Sequence, residues 1–196
     1  MNTDQSHSNL YTPELIDFAR TGVELAALLE QGGQRREVIR RLIELLPRLY
    51  AQMLRLPEYF YSSDEDYIEE YITQEGYDRV RTRLEHILGE YDSYLTTFSP
   101  EMQYSDTPLA ATISEALADV YQHIGNLLGI LRAENTIALP AAIGRCYLYW
   151  REHWGVQLLS ALSALHQVYT MSLPEQDEED MEVDDADTDL SMQEYE

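Results

Sequence analysis

The chain has no lysine: all 13 of its basic residues are arginine, set against 36 acids for a formal net charge of -23. Nonspecific nucleic-acid binding neutralises phosphates with adaptable cations, and this balance argues against it. Cysteine is nearly as scarce. A lone Cys146 cannot form an intrachain disulfide or a Cys-rich metal site, which fits a reducing compartment. Phenylalanine occurs 3 times against 15 tyrosines, so most aromatic rings bring a hydroxyl suited to wet-edged contacts or shallow pockets. No apolar run is long enough to span a bilayer, and the opening MNTDQSHSNLYTPEL has no basic start leading into an apolar stretch. A cytoplasmic protein without membrane association is expected.

Catalytic signatures are also missing. The sequence contains no glycine-rich phosphate loop, no GxSxG, no HExxH and no CxxC. A carboxylate-bridged di-metal bundle needs Glu-x-x-His on two helices, but Arg83, Val120, Trp150 and Ser163 stand three residues before His86, His123, His153 and His166. No catalytic residue and no cofactor is assigned, and the enzyme question leans to no.

What is present is a strongly helical pattern. Thr12, Pro13 and Glu14 form a helix start, followed by Leu15, Phe18, Gly22, Leu25 and Leu29 on one face until Gly32 and Gly33. A second helix is expected over about 34–56, with Pro47 kinking it. Thr73 caps a third, whose apolar period passes through Gly89 and continues to the residues before Pro100. Thr107 and Pro108 begin a fourth that ends near Arg132. The fifth runs from about Thr136 or Pro140 to Met171, bending near Gly155. No segment alternates convincingly enough to be a strand.

The expected architecture is all-α: a single-domain bundle of about five helices over 11–172, a flexible N-terminus over 1–10, and a disordered acidic tail over 173–196. Twelve acids and no base fall after residue 173, which leaves a net -11 on the remainder, so the folded part is acidic too. Residues 58–75 hold seven acids, four tyrosines and no base, and read as a surface loop or short irregular helix.

One stretch invites chemistry. In ISEALADVYQHIGNLLG, Glu115, Asp119 and His123 recur every fourth residue and stack on one ridge of the fourth helix, the arrangement of a weak candidate metal site. At about 100° per residue, Ile113, Leu117, Val120, Ile124, Leu127 and Leu131 mark the core face. Ala111, Ser114, Ala118, Gly125 and Gly129 form a small-residue stripe beside it, suited to the close approach of a second helix. The ridge lies in the sector left over. A solvated polar face is therefore preferred to a ligand role, and no metal is assigned.

Arg41, Arg48 and Arg55 lie a heptad apart on the second helix, and pairing with the acidic 58–75 segment is preferred to an RNA-binding role. Trp150 and Trp154 read as core anchors whose edges could line a pocket. Cys146 reads as a packed small side chain.

Three segments, YDRVRTRLEHILGEYDSYL at 77–95, TPLAATISEALADVYQHI at 107–124 and YWREHWGVQLLSALSALH at 149–166, together resemble the bacterial domain of unknown function 5063, common in Bacteroidetes. The resemblance covers roughly residues 10–170. It implies a cytoplasmic helical domain without a defined activity, and an association with RNA-processing genes. An acid usually stands at the position of His123, a departure that weakens the metal reading.

The function expected is a non-catalytic interaction or accessory module acting on a protein partner through acidic, Tyr-rich surfaces. The alternatives are a metal- or small-molecule-binding bundle using Glu115 and Asp119, and an RNA-processing accessory protein.

Overall fold

The computed structural model describes residues 10–63, 66–96 and 109–171. Within them the chain forms α1 (Pro13–Gln31), α2 (Arg35–Met53), α3 (Gln74–Leu88), a short hairpin of β1 (Ser93–Thr96) and β2 (Leu109–Thr112), then α4 (Ile113–Arg132), α5 (Leu139–Tyr149) and α6 (Gly155–Thr170). A π-helical turn over Trp150–Trp154 joins α5 to α6, so the two make one continuous fifth helix. The all-α bundle of five helices is thus the architecture. The expected tail and nearly all of the expected flexible N-terminus lie outside the described residues, although Leu10 is buried in the core.

Threonine caps set three of the helix starts. Thr12 Oγ1 accepts from Leu15 N at 3.2 Å, Thr73 Oγ1 from Gly76 N at 3.1 Å and Thr112 Oγ1 from Glu115 N at 3.3 Å. The last of these corrects the sequence reading, which began the fourth helix at Thr107. The start is displaced by a tertiary contact: the buried Asp92 carboxylate accepts from Ser114 N at 2.8 Å and Ser114 Oγ at 2.6 Å, and its carbonyl accepts from Ile113 N at 2.9 Å. A carboxylate at the first turn also meets the positive end of the helix.

The third helix is shorter than its apolar period implies. Gly89 adopts φ +56°, a conformation open to glycine, and its N–H closes the helix on Glu85 O. The chain then turns into β1, which pairs antiparallel with β2 in the register Ser93↔Thr112 to Thr96↔Leu109. Four-residue strands are too short to display a readable alternation, and so none was expected.

Helix α4 is central and touches α1, α3, α5 and α6, while α2 packs on α1 and α6 and runs through Pro47. The core is filled by Phe18, Leu42, Leu49, Leu84, Leu117 and Trp154, each at most 1% exposed. Near Gly155, where a bend was expected, the chain carries the π turn. There a Cβ on Gly155 would meet the Trp150 indole at 2.9 Å, and Trp154 Nε1 donates to Cys146 O at 3.1 Å. Such turns concentrate at functional sites, because the widened backbone re-aims the side chains it carries.

Candidate functional site

The π turn and α5 lie over the polar ridge of α4, and the ridge is consequently not a solvated face. Glu115 remains exposed, but the Asp119 side chain is only 20% exposed. Its Oδ1 accepts from the Tyr77 hydroxyl of α3 at 2.8 Å, and its Oδ2 lies 3.1 Å from His153 Nε2 on the π turn. Burial, reinforced by the hydrogen bond to Asp119, raises the Tyr77 hydroxyl well above the ordinary phenol range.

One turn along, His123 stacks on Tyr149 at 5.0 Å between centroids and meets His153 edge-on at 6.2 Å. Burial, with the neighbouring His153 acting in the same direction, lowers the His123 imidazole to about 4, so it is neutral at physiological pH. The ridge therefore does not converge on a common point. Asp119 turns to Tyr77 and His153, His123 packs on Tyr149, and Glu115 faces solvent. Among the described residues no three His, Cys, Asp or Glu side chains stand where they could share a metal ion.

Asn126 continues the same polar sector and is buried. Its Oδ1 accepts from both Tyr71 N at 2.7 Å and Ile72 N at 2.9 Å, clamping the acidic loop onto α4. The small-residue stripe admits this loop in place of a helix: a Cβ on Gly125 would come within 2.6 Å of Ile72, and one on Gly129 would collide with Tyr71. On α5, Gly144 plays the same part, since a Cβ there would sit 2.6 Å from the Tyr59 carbonyl. The loop is thus irregular, as expected, but seated.

Among the described residues, its acids do not take up the α2 arginines, the pairing preferred from the sequence. Arg40 bridges Glu37 and Glu44 at 2.6 Å each and Arg48 reaches Glu24 of α1 at 3.4 Å, whereas loop residue Glu70 faces Arg145 of α5 at 3.8 Å.

Between the loop, α4 and α5 lies a cleft of about 290 Å³ with Tyr61, Gln122, His123, Asn126, Arg145 and Tyr149 among its walls. Cys146 also lines it, but burial pushes its thiol up to about 12, which keeps it protonated and a poor nucleophile. Trp154 is fully buried and Trp150 nearly so, consistent with core anchors. A second hollow of about 420 Å³ borders α1 and α3, where the Tyr121 hydroxyl donates to Glu30 at 2.7 Å and Arg83 donates to the Glu30 carbonyl. Tyr121 and Arg83 are thus both engaged with Glu30, and Arg79 stands exposed at its edge.

The family model of a domain of unknown function (DUF5063) matches residues 9–171, a span that includes the loop, the cleft and the whole bundle. The chain belongs to the DUF5063 family. The crystal structure of protein BF1032 from Bacteroides fragilis is similar to this DUF5063 chain, with a TM-score of 0.70 and 27% sequence identity over 83% of this chain and 99% of that one. No curated protein matches the sequence. Among the described residues, no helix of the DUF5063 bundle is long and apolar enough to cross a membrane.

The neutral His123 gives the DUF5063 bundle a specific acid sensitivity. Well above about pH 6.5 the imidazole is uncharged in the folded and unfolded chains alike. Between there and about pH 4 only the unfolded chain takes up the proton, so stability falls with pH through that window and levels off below it. His123→Phe keeps a ring against Tyr149 and removes the titration. Its acid limb is expected to be flatter than that of the wild type by less than about 2 kcal/mol, allowing for the solvent that reaches the ring. Urea melts at about pH 7 and about pH 4.5 make the comparison, and equal pH dependence in the two proteins would contradict it.

Proposed function

We propose that this DUF5063 protein is a non-catalytic interaction module, and that the seated parts of the loop, residues 57–63 and 66–72, dock a basic segment of a partner protein. The observation that carries the reading is a contrast within the loop. Ile68 is 6% exposed and the Tyr71 and Ile72 amides are fixed by Asn126, yet Phe60 is 81% exposed and Tyr67 is 92% exposed. Large aromatic side chains held out from an anchored backbone are suited to act as binding anchors, because little loop entropy is lost when a partner covers them.

Charge selects the kind of partner. Glu58, Glu69 and Glu70 are exposed beside these rings, and the net -11 of residues 1–173 adds a field that attracts a basic surface and repels an acidic one. The acidic residues after 173 extend that field. The ionisable groups next to the loop favour binding over chemistry: His123 is neutral, the Cys146 thiol is protonated and both Asp119 oxygens are engaged.

A photo-crosslinking amino acid at position 67, with one at Val23 of α1 as control, tests the proposal in cells. The expected adduct maps to a segment rich in Lys or Arg that also carries an apolar residue. A synthetic peptide of that segment then binds the purified protein with an affinity that falls with salt, and Phe60→Ser weakens it about tenfold without changing Tm. Adducts no different from those at position 23, or crosslinked segments that are not basic, would overturn the reading.

A further inference from the structure

The geometry points to a second site: the cleft between the loop, α4 and α5 binds a small organic monocarboxylate, anchored by the Arg145 guanidinium in place of Glu70. This goes beyond docking at the loop surface and does not require it.

Arg145 is the most sheltered cation in the described ion pairs, with a side chain only 14% exposed. A guanidinium carries five N–H donors, and one withdrawn from water ordinarily meets a carboxylate in a short, two-pronged contact near 2.7–2.9 Å. Arg145 has neither. Its Nη1 lies 3.4 Å from the Ile68 carbonyl and 3.8 Å from Glu70 Oε1, whereas the exposed Arg40 reaches its partners at 2.6 Å. Glu70 is itself 69% exposed, so it remains largely hydrated while it partly offsets the charge of Arg145. A ligand carboxylate inside the cleft would meet the guanidinium closer, and Glu70 would lose only a weak contact.

The other polar groups of the cleft also suit an acceptor. Asn126 uses its Oδ1 on the Tyr71 and Ile72 amides, which leaves its NH₂ for the cleft. Tyr61 and Tyr149 bring hydroxyls, Gln122 brings an amide, and neutral His123 has one N–H. A single guanidinium among neutral donors matches one negative charge. Phosphates with two charges would meet the acidic field of the protein without a second cation to offset it.

Size and shape narrow the class further. About 290 Å³ lies at the lower end of small-molecule sites, which suits a small ligand. His123 and Tyr149, stacked on one another, both line the cleft, so an aromatic ligand body would meet aromatic rings there.

Benzoate and its neutral analogue benzamide, titrated into the full chain and followed by NMR of the His123 and Tyr149 rings, test the site. Benzoate is expected to give a saturable shift of both rings, and benzamide to bind about tenfold more weakly or not at all. Arg145→Gln should weaken benzoate about tenfold. Glu70→Gln should tighten it about two- to fivefold, the worth of removing a half-hydrated competitor. No saturable shift with benzoate, equal binding of benzamide, or unchanged affinity in Arg145→Gln would overturn the site. Unchanged or weaker binding in Glu70→Gln would overturn the displacement of Glu70. Should Arg145→Gln fail to fold, the benzoate and benzamide comparison on the wild type and the Glu70→Gln titration still decide.

Discussion

Trp154→Ala is expected to lower the stability of the bundle by about 3–5 kcal/mol, the range for removing a large aromatic side chain from a packed interior. The indole is fully buried, and its Nε1 donates from the π turn back to Cys146 O of α5. Two losses therefore combine. The cavity left behind cannot close easily, because the turn backbone is held by Gly155 packed against the Trp150 indole. The same turn positions His153 against Asp119, so part of the site should loosen together with the core. Urea unfolding followed by far-UV circular dichroism measures the change. Val156→Ala, at a half-exposed position in the first turn of α6, serves as the reference and should move stability by less than about 1 kcal/mol. A Trp154→Ala loss no larger than that of Val156→Ala would mean the indole is not a core anchor.

Asn126→Leu is expected to cost about 2–4 kcal/mol, and the cost should be concentrated in one place. The substitution removes the acceptor shared by the Tyr71 and Ile72 amides and leaves two partly buried donors unsatisfied. The loop over 57–72 would lose its clamp while the helices keep their own hydrogen bonds. Amide hydrogen exchange separates the local effect from the global one: Tyr71 and Ile72 should exchange much faster, and the α4 core amides only in proportion to the loss of overall stability. Asn126→Asp, which keeps an acceptor at the same point, should restore most of the protection. Uniform acceleration across the bundle would show that Asn126 supports the fold at large and does not act as a clamp. Because docking depends on a loop that is already ordered, Asn126→Leu should also weaken binding of a basic partner segment.

These two side chains differ in how readily the sequence reveals them. Trp154 stands at helical spacing with Tyr147, Trp150 and Leu158, and its role as a core anchor follows from that period alone. Asn126 also sits at a definite angle on α4, in the sector opposite the aliphatic face. Yet its partners are backbone amides 54 and 55 residues earlier in the chain, and nothing in a helical period indicates them. The same limit explains the ridge. Glu115 behaves as a solvated position, but Asp119 and His123 on the same line are covered by Tyr149 and His153 of the fifth helix. Arg145 carried no signal of its own, since a single arginine within an apolar helix is unremarkable until its partners are known.

Helix boundaries divide in the same way. Thr12 and Thr73 act as caps because a cap needs only its own hydroxyl and an amide three residues on. The end of α3 and the start of α4 depend on distant contacts. Gly89 could have stayed helical at a modest cost, and Thr107 with Pro108 could have begun a helix. The Asp92 carboxylate against Ser114 and the pairing of β1 with β2 decided otherwise.

Local and periodic features were therefore determined by the sequence itself: the five helices, their apolar faces, the threonine caps, the acidic balance and the family. Such features depend on side-chain character at fixed short spacing, and burial of an apolar stripe stabilises them wherever the partner surface comes from. Only the tertiary structure decided what covers the polar sector of α4, where the acidic loop is seated, and which cation faces the cleft. Those outcomes depend on groups far apart in the chain meeting within hydrogen-bond distance, and a buried polar group has no preferred partner until the backbone brings one to it.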